Sequence, residues 1–244
     1  MAVSGTRAFA LDIGEILEEA ADLAGGEPLG GYEARSAVRS LDLMLLDWSN
    51  RGVNLWKVEE ETISTASGVA DYTMSGDVMD VLDLTIMLDS TTSGNEVTLD
   101  RITYAEYRAR PNKSDTGRPS EYVVQRQRAA PILTLWPTPN DSDDAIVAWI
   151  MVEVQDIGGS TNNPDVPRRF LPALTQGLAY NMLRKRSLPA QLTGESAETY
   201  SVKLQDLARL RQELKADYNE AFMNAALEDR ERASMFITPR VGRR

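Results

Sequence analysis

The chain has 244 residues, 42% of them hydrophobic, a formal net charge of −11, and neither cysteine nor histidine. That composition excludes disulfides, thiol catalysis, thiolate metal sites and histidine-centred acid–base or zinc chemistry. The acidity argues against a surface that grips nucleic acid all over. The absence of a basic-then-apolar leader and of any apolar run of membrane length predicts an unsecreted chain without membrane contact.

Periodicity predicts a first helix over 8–25, with Phe9, Ile13, Ile16, Leu17, Ala20 and Leu23 or Ala24 on one side. Asp12, Glu15, Glu18 and Glu19 crowd its early and middle turns, where carboxylates suit the positive end of a helix. Gly25-Gly26 ends it. A second amphipathic helix starts at Gly31, with Val38, Leu41, Leu45 and Trp48 at helical spacing and Leu43, Met44 and Leu46 broadening the stripe. Asn50-Arg51-Gly52 is its stop, because glycine takes the left-handed cap geometry without a Cβ clash. The short connection predicts an antiparallel pair. Val53, Leu55 and Trp56 then open an extended segment.

From Glu59 to Val154 the period changes to two. Strands are expected at Ile63, Tyr72–Met74, Val78–Leu88, Val97–Ile102, Tyr122–Gln125, Ile132–Trp136 and Ile146–Val154, separated by Gly, Pro, Asn and Ser turn chemistry. Thr103–Arg110 reads as one helical turn among them, and Asn112–Pro119 as a polar loop. Gly158–Pro164 is the return linker. Asp165 then caps a helix with Pro167 in its first turn and Phe170, Leu171, Leu174, Leu178 and Met182 on its face. A final helix runs from about Glu195 to about Ala233. Tyr200, Leu204, Leu207, Leu214, Tyr218, Ala221 and Ala225 follow in steps of three and four, with Arg211 breaking the seam.

These elements predict an α+β fold: an α-helical bundle built from the N- and C-terminal helices, with an inserted antiparallel β-sandwich-like domain. The expected division is 1–58 with 160–233 for the bundle, 59–159 for the β domain, and 234–244 as an extended C-terminal arm.

Candidate chemistry is sparse. Asn140–Asp144 lacks the alternating ligands, glycine and distal glutamate of a calcium loop, and reads as a solvated hairpin turn. Glu59-Glu60-Glu61 and Glu228-Asp229 supply carboxylates for glycosidic chemistry, but spacing along a chain does not make a cleft. Arg184-Lys185-Arg186 suits either nucleic acid or the negative end of its own helix. Trp48, Trp56, Trp136 and Trp149 lie in apolar patterns and are expected in the core. The terminal stretch joins Met235, Phe236, Ile237 and Val241 to Arg240, Arg243 and Arg244; it is either a frayed end or a segment whose burial a partner supplies.

The junction from Leu45 to Trp56, LLDWSNRGVNLW, resembles the head–tail adaptor proteins of short-tailed phages, the tail tubular protein A and packaged-DNA stabilisation family. Similar stretches follow in order: Pro111-Asn112-Lys113 with Gly117–Tyr122, Leu133–Pro137, Pro164–Leu174 and Glu228–Ser234. The resemblance implies a structural virion protein, not an enzyme and without cofactor or metal. It implies a head-to-tail connector that forms a twelve-subunit ring under the portal protein, extends the DNA channel, retains packaged DNA and receives the tail nozzle (a tail tubular protein B-like partner). Double-stranded DNA would pass without sequence-specific contacts, and the protein would be made in the host cytoplasm and reside at the head–tail junction. Under it, Met235, Phe236, Ile237, Arg240, Val241, Arg243 and Arg244 form a portal-binding arm. The length of the final helix separately predicts that its seam, with Tyr200, Leu204, Leu207, Leu214 and Tyr218, is buried partly against the chain's own helices and partly against a neighbouring subunit. A stand-alone DNA-binding protein and a virion-associated cell-wall glycosidase are the alternative readings.

Overall fold

The computed structural model describes residues 9–26, 29–52, 55–88, 95–186 and 196–228. Among them are five α-helices: α1 (Ile13–Leu23), α2 (Gly31–Asn50), α3 (Tyr104–Ala109), α4 (Leu171–Lys185) and α5 (Ala197–Glu228). The strands are β1 (Val58–Ser64), β2 (Asp71–Thr73), β3 (Val78–Leu88), β4 (Asn95–Thr98), β5 (Asp100–Arg101), β6 (Thr116–Gly117), β7 (Glu121–Gln125), β8 (Ile132–Trp136), β9 (Thr138–Pro139) and β10 (Ala145–Val152). The chain forms two compact units, one of Met1–Val53 with Asp156–Arg244 and one of Asn54–Gln155.

In the helical unit every other helix packs on α4. Its residues Ala173, Leu174, Leu178, Ala179 and Leu183 are all buried, because they span more than one side of the helix. Gly177 is what lets two neighbours approach so closely. A Cβ there would lie 2.6 Å from the Met44 sulfur of α2 and 2.8 Å from the Tyr218 ring of α5. Trp48, 1% exposed, fills the space below, with ring centroids 5.4 Å from Phe170 and 5.5 Å from Phe222. Its indole Nε1 donates to the Tyr218 hydroxyl at 2.9 Å, so the one polar atom of the largest core side chain is satisfied. The linker after the β unit ties down α1: Gly14 N donates to Ser160 O at 2.8 Å and Ile13 N to Asn162 O at 2.9 Å. Ile157, itself buried, donates its N–H to Asp42.

Several boundaries differ from the periodicity, each for a local reason. The first helix begins at Ile13, not at residue 8, because Asp12 and Glu15 close a reciprocal capping box. Phe9 is therefore outside the helix and 68% exposed. Leu43 and Leu46 do not broaden the α2 stripe; both point to solvent, while Ala37 and Ser40 take the buried positions. The helices α1 and α2 both pack on α4. Leu55–Lys57 is a 3-10 turn before β1, so the strand opens at Val58. Pro167 precedes a 3-10 turn, Arg168–Phe170, closed by Phe170 N donating to Pro167 O, and Pro172 occupies the first turn of α4 instead. That short turn aims Phe170 into the core. Leu183 rather than Met182, and Phe222 rather than Ala221, are the deeply buried members of their stripes. Gly52 ends α2 with φ +72°, as its left-handed stop requires.

The β unit is two four-stranded sheets, ordered β1-β10-β3-β4 and β2-β8-β7-β5. Val81, Leu84, Ile86, Ile146, Ala148 and Ile150 of the first meet Tyr72, Tyr122, Val124, Leu133 and Leu135 of the second in one core. Pairing is antiparallel except for two short parallel ladders, β5 with β7 and β6 with β9. The outer face of the second sheet is covered too. Val123 and Thr134 point away from the shared core, yet both are buried. The α3 region lies on this face: Arg110 sits 4.7 Å over the Trp136 ring, and Trp136 Nε1 donates to Asn112 O at 3.0 Å. Burial and the charge of Asp71, which pairs with Thr134 of β8, raise the pKa of the Tyr107 hydroxyl. A Thr103–Glu106 capping box starts α3. The Asn140–Asp144 turn is not a hairpin; it carries the chain from β9, which forms a two-stranded sheet with β6, to β10 of the first sheet.

The close approach at Gly177 gives a direct expectation. Gly177→Ala destabilises the protein by ~1–3 kcal/mol in denaturant unfolding, because a sulfur and an aromatic ring must both give way. Gly31→Ala, where nothing lies within 4 Å, is neutral or stabilising.

Candidate assembly surfaces

The stripe expected on the final helix is present, and it falls into two halves. Leu214, 4% exposed, and the half-buried Tyr218 pack inside the subunit with Phe222 and Ala225, against α4, Phe170 and Trp48. The seam-breaking Arg211 marks where α5 passes the end of α4. Its guanidinium donates to Leu183 O at 3.1 Å and Arg186 O at 3.3 Å, satisfying carbonyls that the helix end leaves unpaired. Residues 197–210 extend past that point for about 20 Å at ~1.5 Å per residue. Tyr200, Leu204 and Leu207 continue the stripe along this stretch, half-buried, and Val202 is exposed. Arg211 is legible in sequence only as an interruption; its role required the end of α4 to be beside it.

The basic cluster before it serves the helical unit itself. Lys185 donates to Ser36 O and Oγ, both at 3.1 Å, and to Ser40 Oγ at 2.5 Å. Arg186 reaches Ala24 O at the end of α1 (3.4 Å), and Arg184 lies over the Tyr180 ring at 5.9 Å. Lys185 and Arg186, with side chains of α1 and α2, line a groove of about 330 Å³. Lys185 and Arg186 thus tie α4 to α2 and α1 while remaining exposed.

Other sequence candidates resolve as scaffold. The Thr65 hydroxyl donates to Asp144 O (2.8 Å) and Asp141 O (3.1 Å), and Ser67 donates to Asn140 O, so the acidic turn is stapled to the end of β1. Among the described residues no group of three or more acidic side chains is placed to hold a metal ion. Of the four tryptophans, Trp48 is core and Trp56 and Trp136 are half-buried, but Trp149 is 45% exposed on the outer face of the first sheet. Glu61 alone of its acidic run is partly buried, and burial followed by the charge of Asp77 raises its carboxyl pKa above 4.5. It sits on an edge strand, and none of the groove residues belongs to the β unit. The arm residues Met235 to Arg244, and Asp229, lie outside the described residues.

Glu61 predicts a pH effect with a defined sign. A carboxyl whose folded pKa is raised contributes stability that is full below the unfolded value and lost as pH rises through the folded one. Glu61→Gln therefore raises the melting temperature at neutral pH, and the gain over wild type vanishes below the ordinary glutamate value of 4.5.

A search of curated proteins finds no match to the chain. A solved chain described as the neck of an empty GTA particle, computed with C6 symmetry, aligns over 77% of this chain and 87% of its own. At 12% identity and a TM-score of 0.27 that likeness carries no argument. The family comparison does: the SU10 adaptor protein model matches residues 11–240. The chain belongs to the SU10 adaptor family, the structural, non-catalytic connectors of the phage head–tail junction.

Proposed function

We propose that this connector acts as a ring of twelve copies seated under the portal protein, extending the DNA channel, retaining the packaged genome and receiving a tail nozzle. The observation that carries this reading is the two-part stripe of α5. Leu214 to Ala225 is consumed inside the subunit, whereas Tyr200, Leu204 and Leu207 stay half-buried on a stretch that runs past α4. A helix with an incompletely covered apolar stripe gains by packing against a neighbour. The charge of −11 fits a wall along which duplex DNA slides without sequence-specific contact, since like charges repel within a Debye length of ~8 Å at physiological salt. Synthesis in the host cytoplasm, before assembly at the head–tail junction, belongs to the same reading.

The sequence of 234–244 supports a docking role on the portal. Burying Met235, Phe236 and Ile237 returns ~1.5–3 kcal/mol each, against an ordering cost on the order of 1–2 kcal/mol per residue. One arm alone then binds weakly, and twelve act together by raising one another's effective concentration. Deleting 234–244 leaves the melting temperature within error of wild type and abolishes addition to portal; undiminished assembly of the truncated protein would remove the arm from the account.

Electron microscopy of the protein mixed with portal tests the ring itself. Twelve-fold density below the portal is the expected result, and a portal that stays bare contradicts it. Two substitutions separate fold from assembly. Leu214→Ala costs ~2–5 kcal/mol of stability because its site is buried. Leu207→Asp leaves a folded monomer with a modestly lower melting temperature and no ring; normal rings from Leu207→Asp would put that half of the stripe outside the contact.

A further inference from the structure

The β unit segregates its charge along the chain. Seven of its eight basic residues fall between Arg101 and Arg128, together with three acidic ones; Lys57 is the eighth, and fourteen acids lie elsewhere in the unit. The strands β1, β3, β4 and β10 of the first sheet contain no basic residue. On the outer face of that sheet, Glu60, Trp149 and Asp83 stand in one cross-strand row. Their neighbours Ala148, Ile150 and Leu84 point into the core, so these three point away from it. All three are exposed, and no cation pairs with either carboxylate among the described residues.

The opposite outer face, on the second sheet, carries α3 and the loop after it. Arg108 on α3 and Arg118 on the loop are exposed there, and no carboxylate pairs with them among the described residues. One arginine of the same stretch shows the chemistry such a side chain seeks. Arg110 lies 4.7 Å over the Trp136 ring and is ion-paired with Glu121. Trp149 with Glu60 and Asp83 offers that set again, an indole face with carboxylates beside it, and among the described residues no cation lies over it.

We propose that the Glu60–Trp149–Asp83 face receives the Arg108 and Arg118 face of a second copy of this chain. Two different faces on opposite layers of one unit make a heterologous contact, and a heterologous contact that closes generates a ring. The proposal rests on the ring reading above and assigns a surface to it. The Glu60–Trp149–Asp83 row carries carboxylates alone, so it does not pair with itself.

The experiment is a charge exchange read by sedimentation velocity at low salt. Glu60→Lys with Asp83→Lys makes both faces basic; Arg108→Glu with Arg118→Glu makes both acidic. All four sites are exposed, so each double variant keeps the wild-type circular dichroism spectrum. Wild type self-associates, and raising the salt from ~0.05 to ~0.5 M weakens that association roughly tenfold by shortening the Debye length. Each double variant alone stays monomeric at concentrations where wild type assembles, and an equal mixture of the two assembles again, because every contact in an alternating array has complementary charge. Double variants that assemble alone like wild type overturn the proposal and leave the ring reading intact. A mixture that stays monomeric overturns it as well. So does a wild type that remains monomeric at low salt, with the ring reading left to its own test on the portal.

Discussion

The helical unit depends on one helix being approached from several sides at once. A helix of fifteen residues, α4, takes the packing of α1, α2 and α5, and the closest approach is set by the missing side chain of Gly177. With no Cβ there, Met44 and Tyr218 come within reach of the backbone, and Trp48 finds the Tyr218 hydroxyl for its N–H. The aromatic cluster of Trp48, Phe170, Tyr218 and Phe222 follows from that approach. Polar ties then fix the ends. Arg211, Lys185 and Arg186 spend their donors on carbonyls and hydroxyls of neighbouring helices, which converts the sequence's most basic cluster into internal joinery.

The β unit meets a different constraint. Two sheets share one apolar core, and the second sheet buries a further layer beneath α3, so its outer face is already occupied. On the outer face of the first sheet Val147 is buried, and next to it along β10 Trp149 stands exposed between carboxylates. An open sheet face is a liability for a monomer, and uniform negative charge on it suppresses random association while remaining selective for a basic partner.

Much of this was legible in the residues. Period-two patterning located β3, β7, β8 and β10 closely, and the Asn50-Arg51-Gly52 stop predicted where α2 ends. The seam of α5 was correct in spacing because three-and-four steps are a property of the helix itself. What escaped the sequence was anything decided by a neighbour. Phe9 looks like part of the α1 stripe until the capping box at Asp12 excludes it. Leu43 and Leu46 look buried, since hydrophobicity does not reveal which side of α2 meets α4. Trp149 sits in an apolar strand, yet alternation puts it on the open face. The division of the α5 stripe at Arg211 depends on where α4 stops, and no local signal in 197–228 carries that information. The connector identity was legible as a resemblance spread over many short motifs, none of which is chemistry that a catalytic site would demand.

The central claim is that this chain is complete as a fold in its α4-centred half and incomplete along the first part of α5. Hydrogen exchange of the free and the assembled protein measures that division most directly. Amides in 211–225 should already be protected in the free protein and change little on assembly, while those in 197–210 should gain roughly tenfold or more, as expected when locally opening backbone becomes packed. Equal protection of both segments in the free protein, unaltered by assembly, would contradict the account.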